Sequence, residues 1–144
     1  MGSQTVTPSE LDMTCIAAGT VAAEVRRRIE LRLADWRLPH IAADTFVIAD
    51  ELIVNACTET PEGEIRVWFT RQPGAVLLAV WDSSDAMPQA RPVVELEPED
   101  LDLSPQNFDN NGGWGLPLVL ALASECGTTR TRPHGKWVWA RITY

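Results

Sequence analysis

Three groups of residues carry the chemistry this sequence could perform. Glu51 and Asn55 stand four apart in an apolar run from Ile41 to about Thr58 that reads as a buried helix. A carboxylate and an amide therefore share one helix face, a turn apart. Both offer oxygen ligands of the kind a hard cation such as Mg²⁺ takes. Asp44, Glu51, Asn55 and Thr58, at spacings of seven, four and three, form one stripe, and a plain solvent face would look the same. A solvated face usually mixes bases with its acids, yet from Asp44 through Ile65 there are six carboxylates and no basic residue. The second group is Asp82. Val76, Leu78, Val80 and Asp82 share one parity of a strand, which points the carboxylate to the core-facing side. An unpaired carboxylate there costs several kcal/mol; the alternative is that Asp82 simply caps the turn into Ser83-Ser84. The third group is Asn110-Asn111-Gly112-Gly113-Trp114-Gly115-Leu116-Pro117, ahead of a third helix. Glycines let backbone amides approach a ligand, a helix N-terminus favours an anion, and Pro117 suits a first turn. Most Gly-rich turns are only turns.

The elements that must position these residues follow from periodicity. Asp12–Ala18 reads as a short first strand after a loose lead-in over residues 1–12. Thr20–Trp36 is helical: Val21, Val25, Ile29 and Leu33 recur every four residues, with Arg26, Arg27 and Arg28 on the solvated side. Pro39 interrupts, and Pro61 and Gly63 stop the second helix. Glu64–Arg71 alternates, with Ile65, Val67 and Phe69 opposite Arg66, Trp68 and Thr70; Gln72-Pro73-Gly74 turns it into the strand Ala75–Asp82. Residues 83–113 hold four prolines and an acidic patch from Glu95 to Asp102, which fits a lid, a binding loop or a disordered segment. The third helix is expected over Leu116–Glu125, ended by Cys126-Gly127. Thr128–Arg132 then pairs with Lys136–Thr143 across the His134-Gly135 turn. The order predicts a two-layer α/β sandwich, a mainly antiparallel sheet with helices on one face, as a single domain over 13–144.

Composition narrows the function. The 144 residues suffice for one core. A formal charge of −8 argues against nucleic acid, whose phosphates need clustered Lys and Arg. No apolar run approaches the ~20 residues of a membrane span, and the start lacks a signal-peptide pattern. Cys15, Cys57 and Cys126, widely spaced and odd in number, fit reduced thiols in a cytoplasm. His40 and His134, the only two histidines, read as surface residues and exclude a histidine-rich metal site.

Together, Glu51-Leu52-Ile53-Val54-Asn55-Ala56, Asp82 at a strand end and Gly113-Trp114-Gly115-Leu116 opening a helix resemble the N, G1 and G2 boxes of the GHKL (Bergerat) ATPase fold. The small size and the tail Gly135-Lys136-Trp137-Val138-Trp139-Ala140 are most similar to bacterial anti-sigma-factor serine kinases of the RsbW and SpoIIAB type. The similarity spans about residues 15–143. It implies ATP and Mg²⁺ as cofactors, Asn55 as a metal ligand, Glu51 as the base that orients or deprotonates an attacking hydroxyl, and Asp82 as acceptor for the adenine amino group. Ser84, Ala86, Gly112, Gly113, Gly115 and Leu116 would complete the nucleotide site, under a lid of residues 83–113. The implied partners are a sigma factor and its anti-anti-sigma antagonist; a protein that keeps the fold without turnover is the alternative. This sequence departs from the family at four places. G1 reads Asp82-Ser83-Ser84-Asp85-Ala86 instead of Asp-x-Gly-x-Gly. Glu59 stands where a polar or basic residue is usual, Trp114 where Arg is common, and Trp137 where a small hydroxyl residue often helps fix adenine.

Trp68, Trp81, Trp137 and Trp139 share the parity that faces away from the core. They either shield the sheet beneath Arg66 and Arg141 by cation–π contact or form a protein interface, with a homodimer or partner expected there.

Overall fold

Period-two alternation makes the sheet, and helices cover the side on which its apolar residues fall. The computed structural model of the protein describes residues 10–85 and 116–144. In chain order the elements are β1 (Glu10–Ile16), α1 (Val21–Asp35), a 3₁₀ turn (Pro39–Ile41), α2 (Ala42–Glu59), β2 (Glu64–Gln72), β3 (Ala75–Asp82), α3 (Leu116–Leu122), β4 (Glu125–Arg130) and β5 (Lys136–Thr143). Among the described residues, five strands form one sheet in the order β1-β2-β3-β5-β4, with every neighbouring pair antiparallel. The expected α+β architecture is the observed one.

Ile65, Val67 and Phe69 of β2, Val76, Leu78 and Val80 of β3, and Val138, Ala140 and Ile142 of β5 are all buried on one face. That face meets α2, which packs on β3 and β5, while α1 packs on α2 and β1. α1 buries Val21, Val25, Ile29 and Leu33, one residue per turn, and leaves its arginines outside. Arg28 pairs with Glu24, and Arg26 reaches Asp50 of α2 at 2.6 Å. α2 buries Thr45, Ile48, Ala49, Leu52, Ile53, Asn55 and Ala56. This is a wider face than a surface helix needs, because α1, the sheet and α3 all contact it.

Three elements differ from expectation by more than one residue. β1 begins at Glu10, inside the expected lead-in, because its residues pair with β2 from Glu10↔Thr70 onward. α3 ends at Leu122 rather than Glu125, and the chain re-enters the sheet at once. β4 is Glu125–Arg130 rather than Thr128–Arg132. Gly127 is thus a strand residue and not a helix stop. A Cβ there would lie 2.7 Å from the Trp139 indole, which occupies that space.

Candidate nucleotide site

The site forms where the end of β3 meets the last turns of α2. Asp82 is fully buried, as its parity requires. Both readings of it hold at once. Its Oδ1 accepts from the Ser84 N–H at 2.9 Å, closing the turn, and also from Lys136 Nζ at 2.8 Å. Its Oδ2 is buried without a partner among the described residues. Sequence reasoning missed Lys136, yet the signal was present. It shares parity with Val138, Ala140 and Ile142, so it had to face the core, and the register sets it directly opposite Asp82. Lys136 Nζ also lies 3.4 Å from the Ser84 carbonyl. The Asp82 carboxyl is pushed above its ordinary range, chiefly by burial; Lys136 and the Ser84 amide oppose that shift without cancelling it.

α2 and β3 are joined by side chains at this point. The Ser84 hydroxyl donates to Glu59 Oε1 at 3.3 Å, and Glu59 lies one helical turn beyond Asn55. Asn55 is 7% exposed, and its Nδ2 has no partner among the described residues. Glu51, a further turn back, is half-buried, and its carboxyl is raised by burial and by the neighbouring Asp50 charge. The four-residue stripe therefore divides: Asp44 and Thr58 are exposed, Glu51 is half-buried and Asn55 is buried. The turn after Ser84 is anchored as well. Asp85 Oδ1 accepts from the Gly135 N–H at 2.8 Å, which ties the end of β3 to the turn before β5. Gly135 adopts φ +91°, and a Cβ on it would meet the Trp81 ring and the Asp82 carbonyl within 2.6 Å.

The structure thus connects Glu59, one turn beyond Asn55 on α2, with Ser84, Asp82 and Lys136. Leu116 begins α3 as expected. Ala86, Gly112, Gly113, Gly115 and Trp114, with the lid beyond Asp85, lie outside the described residues. Trp137 faces away from the core, as its parity predicts, in register with Trp81 on the side that no helix among the described residues covers; the cross-strand neighbour of Asp82 is Lys136.

On that outer face Trp68 and Trp137 are 6.2 Å apart, Arg66 lies 5.7 Å over Trp137, and Arg141 lies 5.4 Å over Trp139. Two hollows open there, of about 470 Å³ and about 220 Å³, and neither is lined by Asn55 or Asp82.

The residues present fit a nucleotide. The buried Asp82 Oδ2 is an acceptor and the buried Asn55 Nδ2 a donor, both without a partner among the described residues, and such groups in a folded interior are ordinarily satisfied. No helix among the described residues is long and apolar enough to cross a membrane. A comparison with curated proteins returns no match. The family model of the histidine kinase-like ATPase domain matches residues 12–142, a span that holds Glu51, Asn55, Asp82 and both faces of the sheet. The chain therefore belongs to the histidine kinase-like ATPase domain family.

Proposed function

We propose that this is an ATP-binding regulatory protein of the anti-sigma type, which phosphorylates a serine or threonine of a small antagonist protein and sequesters a sigma factor in the cytoplasm. The observation that carries the nucleotide assignment is the buried donor Asn55 Nδ2 and the buried acceptor Asp82 Oδ2, both without a partner among the described residues. Membership of an ATPase-domain family supports it. Mg-ATP, when bound, supplies the phosphoryl group for transfer. The chain's own residues supply position and proton handling. Asn55 offers its side-chain oxygen to the ion. Asp82 Oδ2 accepts a hydrogen bond from the base. Glu51 takes the proton of the incoming hydroxyl; burial and the neighbouring Asp50 charge raise its carboxyl, which strengthens it as a base. The outer, Trp-bearing face of the sheet is the proposed contact for a second copy or a partner protein.

A second reading has its own observation. Lys136 occupies one oxygen of Asp82, and Glu59 engages the Ser84 hydroxyl. Both contacts favour a binding module that keeps the fold without turning over ATP. Capture of partners from the source cell, followed by incubation with γ-labelled ATP, separates the readings. Label on a captured protein, lost in Glu51→Gln, supports the kinase. Saturable ATP binding with no label on any captured protein supports the module.

A further inference from the structure

Lys136 is the single lysine of the chain, and it is fully buried. Lysine is almost never found there unless it is paired. We propose that Lys136 determines the nucleotide specificity of the site: with Asp82 it reads the amidine edge of adenine, Asp82 Oδ2 accepting from the 6-amino group and Lys136 Nζ donating to ring N1. This rests on the reading that Asp82 faces the base.

The register and the atom count carry the argument. Asp82 and Lys136 are direct cross-strand partners at the last residue of β3 and the first of β5, on the helix-covered face of the sheet, with both side chains at 0% exposure. An ammonium has three N–H donors. One is used by Asp82 Oδ1 at 2.8 Å and one points to the Ser84 carbonyl at 3.4 Å, which leaves the third without a partner among the described residues. Beside it, Asp82 Oδ2 is an acceptor with no partner among the described residues. A donor and an acceptor therefore stand side by side on one buried wall. Adenine presents the complement, a 6-amino donor next to the N1 acceptor. A 6-oxopurine in the same position sets O6 against the carboxylate and N1–H against the ammonium. Sites built from buried hydrogen-bonding groups reject such mismatches strongly, because their own polar groups are then left unpaired. Fold stability alone gives no reason for the pair, since apolar residues of similar volume often serve as well or better.

The test uses the whole chain, Mg²⁺ and four nucleotides: ATP, 1-deaza-ATP, ITP and GTP. 1-Deaza-ATP keeps the amino group and lacks only the N1 acceptor. Wild type is expected to bind it roughly ten- to a hundred-fold more weakly than ATP, the range for one hydrogen bond to a charged group. ITP and GTP are expected to bind more weakly still. Lys136→Met is expected to bind ATP and 1-deaza-ATP within about two-fold of each other, the loss of one charged contact having removed the difference. Should that variant fail to fold, ¹⁵N-lysine labelling of the wild type gives a single Nζ resonance. That resonance should move on addition of ATP and stay in place with 1-deaza-ATP. Equal wild-type affinities for ATP and 1-deaza-ATP overturn the inference and leave the nucleotide assignment standing. So does an Nζ resonance that ATP does not move, unaltered discrimination in Lys136→Met, or tighter binding of GTP. No binding of ATP at all overturns both.

Discussion

Lys136→Met should destabilise the protein by an amount that depends on pH in a calculable way. Methionine keeps most of the apolar stem and removes the cation, so the buried Asp82 carboxylate keeps only the Ser84 amide as donor. Removing one partner of a buried ion pair typically costs about 3–5 kcal/mol. Protonation sets an independent ceiling, because Asp82 can escape its charge by taking up a proton. Lifting its pKa from the ordinary 3.8 to pH 7 spans about 3.2 units, which at about 1.36 kcal/mol each is about 4.4 kcal/mol. The two routes agree on about 4 kcal/mol at pH 7. At pH 5 the same ceiling falls to about 1.6 kcal/mol. The sign follows from linkage. A carboxyl raised in the folded state is protonated there first, so stability is gained as pH falls through the folded pKa and is gained no further below about 3.8. The wild type shares the direction, since burial outweighs Lys136, but Lys136 reduces the swing. Urea unfolding followed by tryptophan fluorescence between pH 5 and pH 8 measures the difference. A loss below about 1 kcal/mol that does not change with pH would refute the reasoning, because a surface-type pair behaves that way.

Other predictions are briefer. Asn55→Ala should leave the unliganded fold nearly as stable as the wild type, within about 1 kcal/mol, because it removes a buried amide with an unpartnered end; it should abolish Mg²⁺-dependent ATP binding, and a melting curve with and without Mg-ATP checks both. Glu51→Gln should stabilise slightly at pH 7, by less than about 1 kcal/mol given its partial exposure. That gain should fade as pH falls through the raised folded pKa and be absent below about 4.5, where Glu51 is neutral in either state; parallel thermal melts across pH measure it. Gly135→Ala should cost about 1–3 kcal/mol, since it forces a Cβ onto the Trp81 ring at positive φ, as denaturant midpoints would report. Light scattering tests the Trp face: a dimer that Trp68→Ala weakens fits the proposed interface, and a monomeric wild type contradicts a homodimer there.

Most of the fold was legible because the apolar period was unambiguous. Val138, Ala140 and Ile142 fix β5 at Lys136–Thr143 without error. Ile65, Val67 and Phe69 fix β2, and Val21, Val25, Ile29 and Leu33 fix α1. The burial of Asp82 came from the same parity. What failed was pairing across long separations. Lys136 lies 54 residues from Asp82, and only the antiparallel register sets them opposite each other. Gly127 misled for a related reason. As local punctuation it reads as a helix end, but its smallness serves the Trp139 ring on the next strand. The bond between Glu59 and Ser84 was equally invisible, since it depends on how α2 lies across β3.

The central claim is that Asn55 and Asp82 belong to one nucleotide site, and isothermal titration with Mg-ATP tests it most directly. Saturable heat is expected for the wild type, little or none for Asp82→Ala, and binding in Asn55→Ala that no longer responds to Mg²⁺. Absence of heat from the folded wild type, or unaltered heat from Asp82→Ala, would contradict it.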